Sequence, residues 1–522
     1  MKNLCSHFAG RRDEIAQLQA ALEAHEWLIV ILGVAGQGKS SLLTKWYQEN
    51  QSTLDSRIGL FWCSPYQGGS DHAFSFDEFL DNLITYLTGK PFDRRDRPRT
   101  MDRVIYVHDL LLKKPTRIVL DGAERWLCRW HAAPDDDTKN LDPEDTKGAG
   151  EGVDAFFQDL YAWADGSSLI LTTRAIPRVL RRTHKVEIGS RSTGHVELLG
   201  LEPEKALEVL QGHEIRGEAA QLIEAARAYG FHAMSIDILG SVLAEQYDHD
   251  ISRWEEADPS RGEVGELIGK ALDRHPEDAA LLEWVACSFG GLPREFAIQK
   301  FNKTQAELHE WLVRLNRWHL VEYGGGPGDI TQHSVIRRCI LERLGGKNAS
   351  DVRNRRVELA NWWFRQPLKG RDHRTGEPND RPQTREEFRP WLRAIDHALE
   401  GGDADLADDV FRAKPGGGAD CETLNRALDN FGCLEESLRV SAILIDLFEK
   451  KVGGDTAEGI SLSRLHNNRG NALRDLGRLE EAFSDFDRAS RIYEDLVEKE
   501  GRRELRNDLA ITFNNRGTAL QG

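Results

Sequence analysis

WLIVIL at residues 27–32 runs directly into GVAGQGKS at residues 33–40. The first stretch is a short, almost wholly apolar run, the pattern of a strand covered on both faces. The second fits G-x-x-x-x-G-K-[ST], and Leu42, Leu43, Trp46 and Tyr47 behind it are spaced as on a helix. Strand, glycine-rich turn and helix start in that order predict a loop that cradles phosphate. Gly33, Gly36 and Gly38 allow backbone N–H groups to converge on phosphate oxygens, and Lys39 reaches the β and γ phosphates. Ser40 offers a hydroxyl to magnesium, and Ser41 follows it at the helix start. The ligands expected are ATP or ADP with Mg2+.

Such a site needs a carboxylate beside the metal. RIVLDGAE at residues 117–124 supplies Asp121 at the end of a second strand-like run, where α/β sheets place their ligands. Asp121 is expected to hold Mg2+ through water. Glu124, three positions on, is either the group that orients or deprotonates an attacking water or an exposed acid at a helix start. LILTTR at residues 169–174 closes another apolar run, so Arg174 either meets the γ phosphate or forms an ordinary surface ion pair.

Working outward, strands are expected at 27–32, 58–63, 117–120 and 168–172, with a helix at 13–24. Phe76, Phe79, Leu80, Leu83, Ile84 and Leu87 fall on one face of a further helix, which a core position explains. Alternation of this kind predicts a mostly parallel α/β sheet, ending near residues 190–194. Residues 131–152, with the run Asp135, Asp136, Asp137, read as an acidic surface insertion.

The whole chain has 522 residues, enough for roughly three to five domains. Its net charge of −17 argues against nucleic acid as a partner, because phosphate neutralisation needs clustered Lys and Arg. Seven scattered cysteines without a CxxC pair disfavour a zinc site or a disulfide framework and suit a reducing, cytoplasmic setting. No apolar run approaches membrane-spanning length, and the opening residues do not read as a signal peptide.

Beyond residue 199 helical patterns dominate. Residues 278–344 give three helical stretches, a strand-like piece at 319–323, the turn GGGPG at 324–328 and another helix, the element order of a winged helix. Residues 366–383 and 414–419 read as hinges or linkers. NNRGNAL at 467–473 returns as NNRGTAL at 514–520, and Gly432 with Glu435, Glu436 and Ser437 gives a weaker earlier copy. Gly470, Leu473, Gly477, Ala482, Phe486 and Ala489 stand where tetratricopeptide repeats pack small and aromatic residues between paired helices. The sequence stops inside what reads as the first helix of another repeat, so it is expected to be a fragment of a longer protein.

Taken in order, these motifs resemble the STAND class of signal-transduction NTPases, the NB-ARC and NACHT-like branch of the AAA+ clan. FAGRRDEIAQL at 8–18 resembles that family's N-terminal motif, which implies Phe8 and Arg11 near adenine. GFHAMSIDILG at 230–240 resembles its helical lid and puts His232 in register, with Ala233 where the family has proline. QHSVIRR at 332–338 resembles its winged-helix motif, implying that His333 reads the β phosphate of ADP; the alternative is a helix cap. The fold implied is an α/β P-loop NTPase domain (1–194), a helical lid (195–254), a winged helix (255–347), a helical linker region (348–419) and an all-α tetratricopeptide-like solenoid (420–522).

The resemblance implies a switch: a slow ATPase in which ADP holds the closed state, a protein trigger on the repeats opens it, and protomers self-associate. Bacterial defence against phage is the setting it suggests. An effector is expected beyond residue 522, lost from the fragment, or on a partner. The rivals are a STAND-type transcription regulator, for which Arg314, Arg317, Arg337, Arg338 and Arg343 are the basic candidates, and a repeat scaffold with a structural nucleotide.

Overall fold

The computed structural model of the chain describes residues 10–520 apart from 53, 55–56, 65–74, 129–142, 151, 159, 182–185, 189–197, 199, 259, 261, 263, 323–328, 372–377, 380–381, 383, 416–421 and 452–455. Phe8, most of the acidic insertion and the 324–328 turn lie outside the described residues. The chain divides into two compact units. The first comprises Met1–Phe92 and Thr100–Val352, the second Asp93–Arg99 and Arg353–Gly522.

In the first unit, β1 (Leu28–Leu32), β2 (Gly59–Cys63), β3 (Thr116–Asp121), β4 (Ser168–Thr173) and β5 (Val186–Ile188) form one parallel sheet in the order β2-β3-β4-β1-β5. Because side chains alternate along a strand, each strand feeds two cores. Leu28, Val30 and Leu32 pack with Ile118, Leu120, Leu169 and Leu171 against α3 (Phe76–Thr88) and α4 (Thr100–Leu111). Ile29 and Ile31 join Val119 and Ile170 against α1 (Arg12–Glu23) and α2 (Lys39–Asn50). The six apolar positions expected on α3 are all buried, and a Ser75–Glu78 capping box starts the helix. Registers Leu32↔Thr173 and Asp121↔Thr172 bring the C-terminal ends of β1, β3 and β4 level. β5 was not anticipated: at three residues it is too short to show a period.

After the sheet come α5 (Pro203–Gly212), α6 (Ala219–Ala228) and α7 (Ala233–Gln246). Next follow α8 (Val264–Asp273), α9 (Pro276–Cys287), α10 (Arg294–Phe301), α11 (Gln305–Arg317) and α12 (Ser334–Arg343). The strand expected at 319–323 is not formed among its described residues. His319 adopts φ +57°, which ends α11 in a left-handed turn, and Glu322 makes only an isolated bridge to Thr331.

The second unit is helical: α13 (Ser350–Phe364), α14 (Arg385–Gly401), α15 (Ala404–Arg412), α16 (Leu424–Asn430), α17 (Leu434–Lys451), α18 (Thr456–Asp475), α19 (Leu479–Glu498) and α20 (Arg506–Ala519). The hinge expected at 366–383 contains a short antiparallel pair, Gly370–Arg371 with Pro378–Asn379. Gly470 lets α18 lie on α19, since a Cβ there would come within 2.7 Å of the Phe486 ring. Ala482, Phe486 and Ala489 are buried as their spacing suggested. Within this unit the buried Glu436 carboxylate pairs with Arg385 and lies 3.7 Å from Arg94. Burial acts to raise its pKa, but the charges of Arg385 and Arg94 outweigh that and bring it down to about 2. Among the described residues no helix is long and apolar enough to cross a membrane.

Candidate functional site

The glycine-rich turn leaves β1 and enters α2 as its sequence demands. Gly36 and Gly38 take φ +81° and +85°, a conformation that costs a side-chain-bearing residue about 1–2 kcal/mol. Gly38 is the residue before α2, so the first turn of that helix, with its unpaired backbone N–H groups, begins at Lys39. The buried Lys39 ammonium donates to the carbonyls of Gly33 (2.6 Å) and Val34 (3.0 Å), which holds it at the loop. Ser40 and Ser41 follow, both half-buried.

Asp121 stands at the end of β3, and one of its oxygens gathers the site. Oδ1 accepts from the Ser40 hydroxyl at 2.8 Å and from the Thr172 hydroxyl at 2.7 Å. Thr172 in turn accepts the N–H of Gly122, and Ser64 donates to the Asp121 carbonyl. Thr172 and Ser64 are contributors that motif reading passed over; the polar end of LILTT, otherwise apolar, was the available signal for Thr172.

Glu124 lies in a 3-10 turn just after β3 and is 1% exposed, so it is not the solvent-facing acid of the bland alternative. Its Oε1 is 3.2 Å from Arg174 Nε, and Arg174 is 6% exposed. The alternative offered for Arg174, a surface ion pair, does not hold: the pair is buried, because the end of β4 carries the guanidinium inward beside the 3-10 turn. Arg174 also donates from Nη2 to the Ser334 hydroxyl at 3.2 Å, reaching the first residue of α12.

A histidine and an arginine border the same loop, and a second histidine stands next to the partner of Arg174. His232 caps α7, with Nδ1 2.8 Å from Ser235 Oγ and Nε2 2.8 Å from the Ala35 carbonyl. An acceptor at Ala35 requires the Nε2–H tautomer, leaving Nδ1 to accept from the Ser235 N–H. Gly36 makes room for this ring: a Cβ there would be 2.6 Å from His232 Cε1. Arg11, at φ +63° before α1, pairs with Glu14 at 2.9 Å and donates to the Gln37 carbonyl at 3.3 Å. His333 caps α12 by accepting the Val335 N–H at 3.3 Å, the arrangement of its bland alternative, and it neighbours the Ser334 that Arg174 holds. The loop, Asp121, Glu124 and Arg174 thus share one edge of the sheet, Arg11 and His232 touch the loop, and His333 precedes the Ser334 that Arg174 holds.

No protein-family model and no curated protein matches the chain. Among solved structures it is similar to the STAND protein with a tetratricopeptide repeat sensor from Pyrococcus horikoshii, at 15% identity and a TM-score of 0.51. That alignment covers 95% of this chain and 66% of the other, so the chain spans about two thirds of that protein's length. A Walker-type ATPase of Pyrococcus abyssi aligns over 65% of this chain and 97% of its own at 15% identity and a TM-score of 0.30. Cdc6p of Pyrobaculum aerophilum aligns over 64% and 94% at 14% identity and 0.31. The likeness to the first is one of fold, a parallel α/β sheet followed by a mostly helical remainder.

Proposed function

We propose that the chain is an ATP/ADP-dependent switch of the STAND type, with the nucleotide phosphates at the C-terminal edge of the sheet. The carrying observation is the convergence there: Ser40 and Thr172 meet at Asp121, His232 reaches Ala35, and Arg174 joins Glu124 to Ser334. Residues 195–254 would be the lid, residues 255–347 the winged helix, residues 348–419 a helical linker region and residues 420–522 a tetratricopeptide-like sensor. Gly33, Gly36, Gly38, Lys39 and Ser41 would cradle phosphate, and Phe8 and Arg11 would flank adenine. Ser40 and Asp121 would hold Mg2+, whose charge would offset that building up on the phosphate oxygens.

Glu124 is assigned to orient or deprotonate the attacking water. Its pairing with Arg174 fits slow turnover, because the carboxylate must first leave a buried ion pair. Arg174 is the shared piece of the switch: a γ phosphate would compete for the guanidinium that now ties Glu124 to α12. One such hydrogen bond is worth about 0.5–1.5 kcal/mol, whereas moving a two-state equilibrium from 1:99 to 99:1 takes about 5.5 kcal/mol. Trigger binding to the repeats, nucleotide exchange and self-association must therefore act together. A protein trigger and a role in bacterial antiphage defence complete the reading, by the resemblance of the motifs to the STAND class alone.

The transcription-regulator alternative is weakened by how its arginines are used. Arg314 is paired with Asp278, Arg343 with Asp273, and the buried Arg337 donates to the Ala286 carbonyl, so three of the five are engaged within the unit. Purified protein should carry ADP. Lys39→Ala should purify empty with a lower melting temperature, and Asp121→Asn should keep ADP while losing Mg2+-dependent phosphate release. Wild-type nucleotide content and melting in Lys39→Ala would remove the loop from the function. Absence of multiple-turnover phosphate release by the wild-type chain would favour the scaffold reading.

A further inference from the structure

Away from the phosphate loop, the same unit brings His213, Asp237 and His319 together. His213 follows α5, Asp237 lies in the first turns of α7, and His319 sits just past α11. One ligand atom from each lies within 4.8 Å of the others. His213 Nε2 is 2.7 Å from Asp237 Oδ1, and His319 Nε2 is 2.9 Å from Asp237 Oδ2. The three side chains are 7%, 12% and 20% exposed, so the cluster is largely shielded, with one flank open at His319.

Two features mark the cluster as built. Gly240, one turn after Asp237 on α7, is what lets the His213 ring lie against the helix, since a Cβ there would fall 2.4 Å from His213 Cδ2. His319 occupies its place through a left-handed backbone, φ +57°, which non-glycine residues adopt only at a cost. The contacts are also unequal. His213 meets Asp237 in hydrogen-bond geometry, but the buried Nε2 of His319, for all its closeness to Oδ2, makes no aligned hydrogen bond.

We propose that His213, Asp237 and His319 form a binding site for a transition-metal dication of the zinc type, joining the start of α7 and the end of α5 to the end of α11. Two imidazoles and one carboxylate suit such a metal and not magnesium, which prefers oxygen ligands. A tetrahedral ion with bonds near 2.0–2.2 Å spaces its ligand atoms about 3.3 Å apart, so the present separations need adjustments of about 1 Å. The fourth position falls on the open flank and takes water. The metal would act as a structural staple between these helices, separate from the nucleotide site.

The test uses the full chain, stripped of metal by chelator and then saturated with Mg2+ and ADP so that the loop is already served. Titration with Zn2+ against a competing chelating dye should give one equivalent, with a rise in melting temperature. His319→Ala and His213→Gln should each weaken that binding roughly tenfold to a hundredfold or more while leaving ADP content unchanged. X-ray absorption of the zinc-loaded wild type gives a readout that needs no variant: a nitrogen and oxygen shell with two imidazoles is expected. No zinc equivalent in the wild type, binding as tight as wild type in both variants, or a sulfur shell from cysteines would each overturn the proposal.

Discussion

Replacing Gly36 by alanine probes the contact between the phosphate loop and the helix that His232 begins. The left-handed backbone at φ +81° charges the new side chain about 1–2 kcal/mol. The new Cβ, 2.6 Å from His232 Cε1, must also push the ring aside, which breaks the 2.8 Å bond from Nε2 to Ala35 at a further 0.5–1.5 kcal/mol or so. Together these come to about 2–3 kcal/mol, so a loop that has relaxed in the free variant should bind ADP roughly thirtyfold to a hundredfold more weakly. In a His232→Ala background the clash is gone and only the backbone part remains, with the Met234 Cβ at 3.2 Å adding little. Calorimetric ADP titration of the wild type, both single variants and the double variant therefore closes a cycle with a coupling of about 1 kcal/mol. If Gly36→Ala costs the same in both backgrounds within about 0.5 kcal/mol, His232 does not lie over the loop in solution and the reasoning fails.

Two further outcomes are expected. His333→Ala should speed ADP release roughly tenfold to a hundredfold if the imidazole reads phosphate, and His333→Asn should do the same although asparagine preserves the helix cap; fast release in Ala alone would reduce His333 to a cap. Asp429 has its carboxyl pushed up to about 7 by burial, with Asp475 adding to this and a Ser437 hydrogen bond opposing it. Its unfolded value is near 3.8, so the folded form is favoured below that pH and loses ground as pH rises towards 7, by up to about 4 kcal/mol. Asp429→Asn should therefore raise the melting temperature at pH 8 and leave it nearly unchanged at pH 4, and equal shifts at both would contradict the burial of an ionisable group there.

How much of this was legible in the sequence depended on whether a signal was local. The loop, Asp121 and Arg174 announced themselves because strand, turn and ligand residue are contiguous in each case, and α3 because its buried face repeats at helical spacing. β5 escaped because three residues at a sheet edge carry no period. A run of apolar residues at 319–323 suggested extension, but the backbone turn at His319, a tertiary requirement, decided otherwise. The pairing of Arg174 with Glu124 was not legible, since a sequence records that two charges exist and not that they are buried on each other. The His213, Asp237 and His319 cluster has no motif, being assembled from the ends of helices far apart along the chain.

Residues Asp93–Arg99 belong to the second unit although they are synthesised amid the first. Seen as biogenesis, Arg94 leaves the ribosome when the helix that carries Glu436 does not yet exist, and its guanidinium must wait in water for a carboxylate that follows it by more than three hundred residues. The helical unit includes a strap made well before the rest of it, so its assembly requires a contact of large sequence separation, the slow kind. A polypeptide of residues 353–522 alone would keep the pair of Glu436 with Arg385 but lose one of the cations that hold this buried carboxylate ionised. Dissecting this protein by a single cut between its two units is thus chemically lopsided: the amino-terminal piece leaves with a cation that the carboxy-terminal piece was folded around.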